Sequence, residues 1–155
     1  PNSDDPVLRQ STRIQAIGTF GGQGTYDPIK IKEMIGGRAW EHPSLLAVYG
    51  LKSKEEALNP TPEMQRLYDQ SAAFTHLTAD DPGLFMVYSE ADGPMPPDSR
   101  PGAGIHHPNF GKQLKAKMDE LAIENVYVHT AESKGMNVTQ KLLAFIQKRF
   151  AQGND

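Results

Sequence analysis

The chain contains no cysteine. That excludes a disulfide scaffold, a cysteine-ligated zinc site and a cysteine nucleophile. It has no basic excess either: 16 Lys and Arg stand against 19 Asp and Glu, a formal net charge of −3. A surface for nucleic acid or anionic lipid is therefore not expected. No apolar run approaches the roughly 18 residues of a membrane span. The opening Pro-Asn-Ser-Asp-Asp-Pro is neither basic nor apolar, so no signal peptide is read there. Without an initiator Met, the chain is expected to be a processed or truncated piece of a longer protein. Internal repeats and heptads are lacking too.

Glycine and proline, by contrast, are plentiful: 14 and 12 in 155 residues. The length suits one domain, but this punctuation implies many turns and long loops. Residues 1–11 read as a linker and 12–155 as the folded part. Arg13 to Phe20 is short, largely apolar and stopped by Gly21-Gly22, which predicts a buried strand. Residues 21–62 are turn-rich, with short helices expected over Ile29 to Ile35 and Leu45 to Tyr49. A helix is predicted from Glu63 to Phe74 after Thr61-Pro62. Leu84-Phe-Met-Val-Tyr88 is the strongest buried-strand signal. Residues 93–109, with five prolines, form a long irregular loop. Phe110, Leu114, Met118 and Leu121 share one face of a predicted amphipathic helix. Asn125 to Thr130 reads as a third strand, and Val138 to Ala151 as the last helix, with Asn137 as its cap and Gln140 placed for a capping box. Buried strands separated by helical crossovers predict an α/β fold with a parallel sheet. Three such strands make a small sheet with an unpaired edge, so the length fits part of a domain.

From Arg13 to Phe150 the chain resembles the C-terminal half of an α/β-hydrolase of the carboxylesterase and lipase type. Arg13-Ile-Gln-Ala-Ile-Gly-Thr-Phe-Gly-Gly is similar to the strand after the nucleophile helix, and Thr25-Tyr26-Asp27 to the turn beyond it. Ser71-Ala-Ala-Phe-Thr-His76 with Asp80-Asp81-Pro82 resembles the lead into the next core strand. Leu84 to Asp92 resembles the strand whose end carries the triad acid. Asn125-Val-Tyr-Val-His-Thr and the final helix match the last strand and closing helix. The resemblance implies an α/β-hydrolase-type sheet with flanking helices, hydrolysis of a small-molecule carboxylic ester through an acyl-enzyme, and no cofactor.

Such chemistry needs a Ser on a Gly-x-Ser-x-Gly elbow, a His as base and an acid that orients it. No Gly-x-Ser-x-Gly occurs in the 155 residues. The nucleophile would come from an N-terminal half of the fold, in the same or a separate chain, and this chain alone is expected to be inactive. Asp92, four residues beyond the best strand, is the candidate acid; Asp92-Gly93-Pro94 also reads as plain turn chemistry. The loop after the last strand, where the resemblance places the base, is Ala131-Glu-Ser-Lys-Gly-Met-Asn137 and has no His. A Lys such as Lys134 stays protonated near neutrality with its ordinary pKa of about 10.4 and does not replace an imidazole. His106 and His107 are the remaining candidate bases. They also read as a metal-binding pair, though neighbouring side chains diverge, or as structural residues opening the helix at Pro108.

His129 reads as a structural strand residue, and His42 and His76 have no partner visible in the sequence. Trp40, in Trp40-Glu41-His42-Pro43, is either part of a substrate cap or a local packing anchor. Gly21-Gly-Gln-Gly24 follows a strand but lacks both the Walker ending and the full dinucleotide-binding spacing. Asn137-Val-Thr matches a glycosylation sequon. Asp4-Asp5 and Asp80-Asp81 lack the spacing of a calcium loop. The alternative to an esterase is a non-catalytic protein of the same fold that binds a ligand or partner in its cleft.

Overall fold

An unbroken apolar run buries both faces of a strand, and Leu84-Phe-Met-Val-Tyr88 does so in the computed structural model, which describes residues 2–152. Pro1 of the expected linker and residues 153–155 of the expected folded part lie outside them. The run lies in β2 (Gly83–Tyr88), buried at every position. β2 is the middle strand of a three-stranded parallel sheet, between β1 (Ala16–Phe20) and β3 (Asn125–His129). Ile17 lies opposite Leu84 in one ladder, and Leu84 opposite Asn125 in the other.

Alternation along β2 divides the interior into two layers. Leu84, Met86 and Tyr88 face one core, with Ile31, Ile35, Trp40, Leu45, Phe110, Met118 and Ile123. Phe85 and Val87 face the other, with Val128 and Phe145. The first layer takes core residues from α1 (Pro28–Ile35), α2 (Pro43–Val48), α3 (Lys54–Leu58) and α6 (Pro108–Glu120), while α4 (Pro62–Gln70), followed by α5 (Ala73–His76), reaches α3 through the Tyr68 hydroxyl on the Ala57 carbonyl. The second holds α7 (Val138–Gln152), whose Val138, Leu142, Phe145 and Ile146 form the apolar stripe. Each fully buried large side chain contributes about 1.5–3 kcal/mol.

The prolines have a local reason. Pro28, Pro43, Pro62 and Pro108 each occupy the first turn of a helix, where a missing N–H costs nothing. The residue before each supplies a cap. Asp27 Oδ1 accepts from the amides of Ile29 and Lys30, and Thr61 Oγ1 from Met64. Imidazole nitrogens of His42 and His107 accept from Ser44 and Asn109. Asn137 Oδ1 likewise accepts from Gln140 at the start of α7.

Two expectations shift at their edges. The first strand begins at Ala16 rather than Arg13. The helix expected over 63–74 breaks at Ser71-Ala72 into α4 and α5, with Ser71 Oγ donating to the Tyr68 carbonyl (2.8 Å). The expected loop over 93–109 is fastened to the first layer by a bridge between Gly36 and Met95 and by Gly102 N–H on the Arg38 carbonyl. No helix among the described residues is long and apolar enough to cross a membrane.

Candidate functional site

The chain leaves the carboxyl end of β1 through Gly21-Gly22-Gln23-Gly24, and four contacts fasten this turn. Gly21 N–H donates to Val87 O (2.7 Å), continuing the ladder. The Tyr88 hydroxyl donates to the Gly22 carbonyl (2.5 Å), and Gln23 Nε2 to the Ile105 carbonyl (2.8 Å). His106 Nδ1 lies 2.7 Å from the Gly21 carbonyl oxygen. Gly21 has φ +60°, and a Cβ there would stand 2.9 Å from His106 Cβ, so both the turn and the ring's approach require glycine. Burial pushes the Tyr88 phenol up to about 12, which keeps it a donor. The Gly21 and Gly22 carbonyls thus serve as acceptors for the chain's own donors.

Three concavities open at this end of the sheet, one of them, of about 570 Å³, lying between His42, Glu90, Arg100 and His106. A crevice of about 350 Å³ lies across the ends of β1 and β2 and the start of α7, lined by Gly21, Ser89, Glu90, His106, Thr130 and Thr139 among others. Beside it, a mainly apolar pocket of about 280 Å³ is enclosed by Ile31, Ala39, Leu45, Val48, Ile105 and Phe110, with Gln23, Tyr26, His42, Ser44, Tyr49 and Ser71 as its polar-bearing residues. Most of that lining follows the carboxyl ends of β1 and β2, where parallel-sheet proteins place ligands. The Tyr49 hydroxyl lies 2.5 Å from Ser71 Oγ and 3.3 Å from the Tyr26 carbonyl oxygen, and Ser71 Oγ donates to the Tyr68 carbonyl. Burial raises the Tyr49 pKa, while the Ser71 hydrogen bond opposes the rise. Ser71 hydrogen-bonds no imidazole or carboxylate and is not an activated nucleophile.

The sequence-predicted residues fall around this end without forming a relay. Asp92 makes a two-oxygen contact with Lys112 Nζ (2.5 and 2.7 Å). That ammonium holds its carboxyl below the usual range, with weaker help from His129 and His107. His107 is 1 % exposed and fully engaged: Nε2 donates to the Gly93 carbonyl (2.8 Å) and Nδ1 caps α6. His106 is exposed, and its ring turns the other way, to Gly21. The two rings therefore do not converge on one ion, and no group of three or more His, Asp or Glu among the described residues could hold a metal.

His129 donates from Nε2 to the Glu90 carbonyl (2.9 Å). Trp40 is buried in the first core layer with Lys32 Nζ 5.2 Å from its ring centroid. Sequence reasoning did not single out Tyr49 or Ser71, which meet across 22 residues and carry no local motif.

No family model, curated protein or solved structure matches the chain.

Proposed function

We propose that the chain is the C-terminal portion of an α/β-hydrolase-like protein that acts on small carboxylic esters through an acyl-enzyme. Its nucleophile comes from an N-terminal half of the same fold, in the same or a separate chain. The carrying observation is the apolar 280 Å³ pocket, built largely by segments beyond the carboxyl ends of two parallel strands and sharing Ile105 with the loop that bears His106. In this reading the pocket takes the apolar acyl group, and the adjoining crevice holds the ester carbonyl.

The test is a chromogenic ester series of rising acyl length, given to the full-length protein. Turnover should be present and should favour a medium acyl chain over acetate. Val48→Arg, at the exposed rim of the pocket, should raise KM for the longer esters and leave acetate unchanged. Absence of turnover by the wild type overturns the hydrolase reading.

A second reading, a non-catalytic protein that binds a ligand or partner in the same cleft, draws support from Asp92. Its carboxylate is engaged with Lys112 and hydrogen-bonds no histidine. Saturable binding of an ester or fatty acid without turnover selects this reading.

A further inference from the structure

A hydrogen bond to a carbonyl oxygen fixes a neutral imidazole's tautomer, because the carbonyl has no proton to give. Applied to the five histidines, this separates one from the rest. His76, His107 and His129 each contact a carbonyl through Nε2, so the proton sits on Nε2. His42 accepts the Ser44 amide at Nδ1, which likewise leaves its proton on Nε2. His106 alone contacts its carbonyl, that of Gly21, through Nδ1 (2.7 Å). Its Nε2 therefore carries a lone pair and no proton. This ring lines the crevice across the ends of β1 and β2, and Glu90 is the other titratable residue on that lining.

We infer that Nε2 of His106 is the proton-accepting atom of this crevice, with its ring oriented by the main-chain carbonyl of Gly21 and not by Asp92. The assignment rests on the ester reading for its substrate. There, the O–H bond of the attacking hydroxyl breaks as its proton passes to Nε2. The hydroxyl oxygen bonds the ester carbonyl carbon. When the carbonyl–alkoxy C–O bond breaks, the Nε2 proton leaves with the departing alkoxide. Water then attacks the acyl carbon in the same way, its proton passing to Nε2 and on to the released nucleophile oxygen, so the balance needs no oxidant and no metal. The nearby chain serves the orientation: Gly21 admits the ring, the Tyr88 hydroxyl holds Gly22, and Gln23 ties the turn to Ile105 beside His106.

The test is two-part and uses the full-length protein. Long-range ¹⁵N–¹H NMR of the neutral imidazoles should show one ring of five with the proton on Nδ1, and His106→Gln should remove that signal. Diethyl pyrocarbonate at low dose should modify His106 before the buried His107 and His129. If the assigned His106 signal carries the proton on Nε2, or His106 is modified no faster than buried His107, the inference is overturned. Where the wild type turns over esters, His106→Gln should lower kcat by at least about 10²-fold with KM little changed, while Asp92→Asn keeps kcat. Unchanged kcat in His106→Gln overturns the assignment and spares the ester reading. A wild type that hydrolyses no ester overturns the ester reading, and the tautomer and labelling then decide the assignment alone.

Discussion

One peptide bond separates His106 from His107, and the direction each ring takes decides what it can do. His107 spends both nitrogens inside the protein, on the Gly93 carbonyl and on the amide that opens α6. Replacing it removes a helix cap and leaves a partly buried carbonyl without its donor. His107→Ala should therefore cost about 1–3 kcal/mol, read as a lower urea midpoint at unchanged slope, while the His106 Nδ1–H signal persists. A stability equal to wild type would show that the cap and the Gly93 contact carry no energy. The doublet His-His-Pro was visible in the sequence as a structural opening of a helix, and for His107 the structure has that role. The division of labour was not visible, because it depends on Gly21 and Gly93, carbonyls 85 and 14 residues away. Asp92 has the same history. Its place after β2 was legible, but its partner Lys112 sits a turn into α6, and only the fold brings them together.

At the scale of elements, the sheet strands and long helices were readable where one physical signal dominated. The unbroken apolar run gave β2, and the stripe of Phe110, Leu114 and Met118 gave α6. Short α3 (Lys54–Leu58) was not anticipated: five residues with three charges carry no periodicity, and the Ser53 cap on Glu56 N–H supplies much of the local reason for it. Close packing between α6 and the sheet adds a constraint that periodicity hides. Gly111 sits on α6 against Tyr88, and a Cβ there would stand 2.1 Å from Tyr88 Cε2. Alanine normally favours a helix over glycine by about 1 kcal/mol, but here overpacking outweighs propensity. Gly111→Ala should destabilise by about 1–3 kcal/mol in chemical denaturation. It should also shift the amide signals of Gly21 and Gly22 through the displaced Tyr88 hydroxyl. A stabilised variant would show that the Tyr88 ring and the Tyr127 ring, 2.9 Å from the same Cβ, yield freely.

The short 3₁₀ turn Ala39–Glu41 carries a pH-dependent element contact. The Arg38 guanidinium and then the Lys54 ammonium hold the Glu41 carboxyl down to about 2 from its ordinary 4.5. A carboxyl whose folded pKa is depressed contributes stability that is complete above the unfolded value and is lost as pH falls toward the folded one. The loss from Glu41 accordingly falls between about 4.5 and about 2. Glu41→Gln should lower stability at neutral pH and flatten the acid limb in that window. Denaturation curves at several pH values check this; an unchanged acid limb would exclude Glu41 as its source.

For the whole molecule, β2 acts as a partition. Alternate side chains along it feed two cores that meet only through the sheet, and the apolar pocket lies on the side of Ile31, Leu45 and Phe110. The opposite core is smaller: Phe85, Val87 and Val128 close against Phe145 of α7, with Phe85 and Phe145 centroids 5.8 Å apart. The outer strand adds to the asymmetry. The ladder contacts alternate, so the peptide groups of Ala16, Gly18 and Phe20 point away from β2, and Phe20 remains 66 % exposed. The glycine and proline surplus sorts along the same partition. It falls largely in residues 21–62 and 93–109, which supply most of the pocket lining, whereas α7, which borders the crevice, contains neither residue.

Stability and ligand binding should therefore separate by mutation. Phe145→Ala empties a buried aromatic site in the smaller core and should cost about 3–5 kcal/mol, a large share of the roughly 5–15 kcal/mol that holds a typical domain together. It touches no residue of the pocket, so the folded fraction should bind an apolar ester probe as tightly as wild type. Val48→Arg should do the reverse, weakening the probe at little cost in stability because the side chain is exposed. Urea melts and probe titrations on the two variants provide the four measurements. If Phe145→Ala weakens binding under conditions where it is fully folded, the sheet transmits strain between the layers and the partition is mechanical rather than insulating.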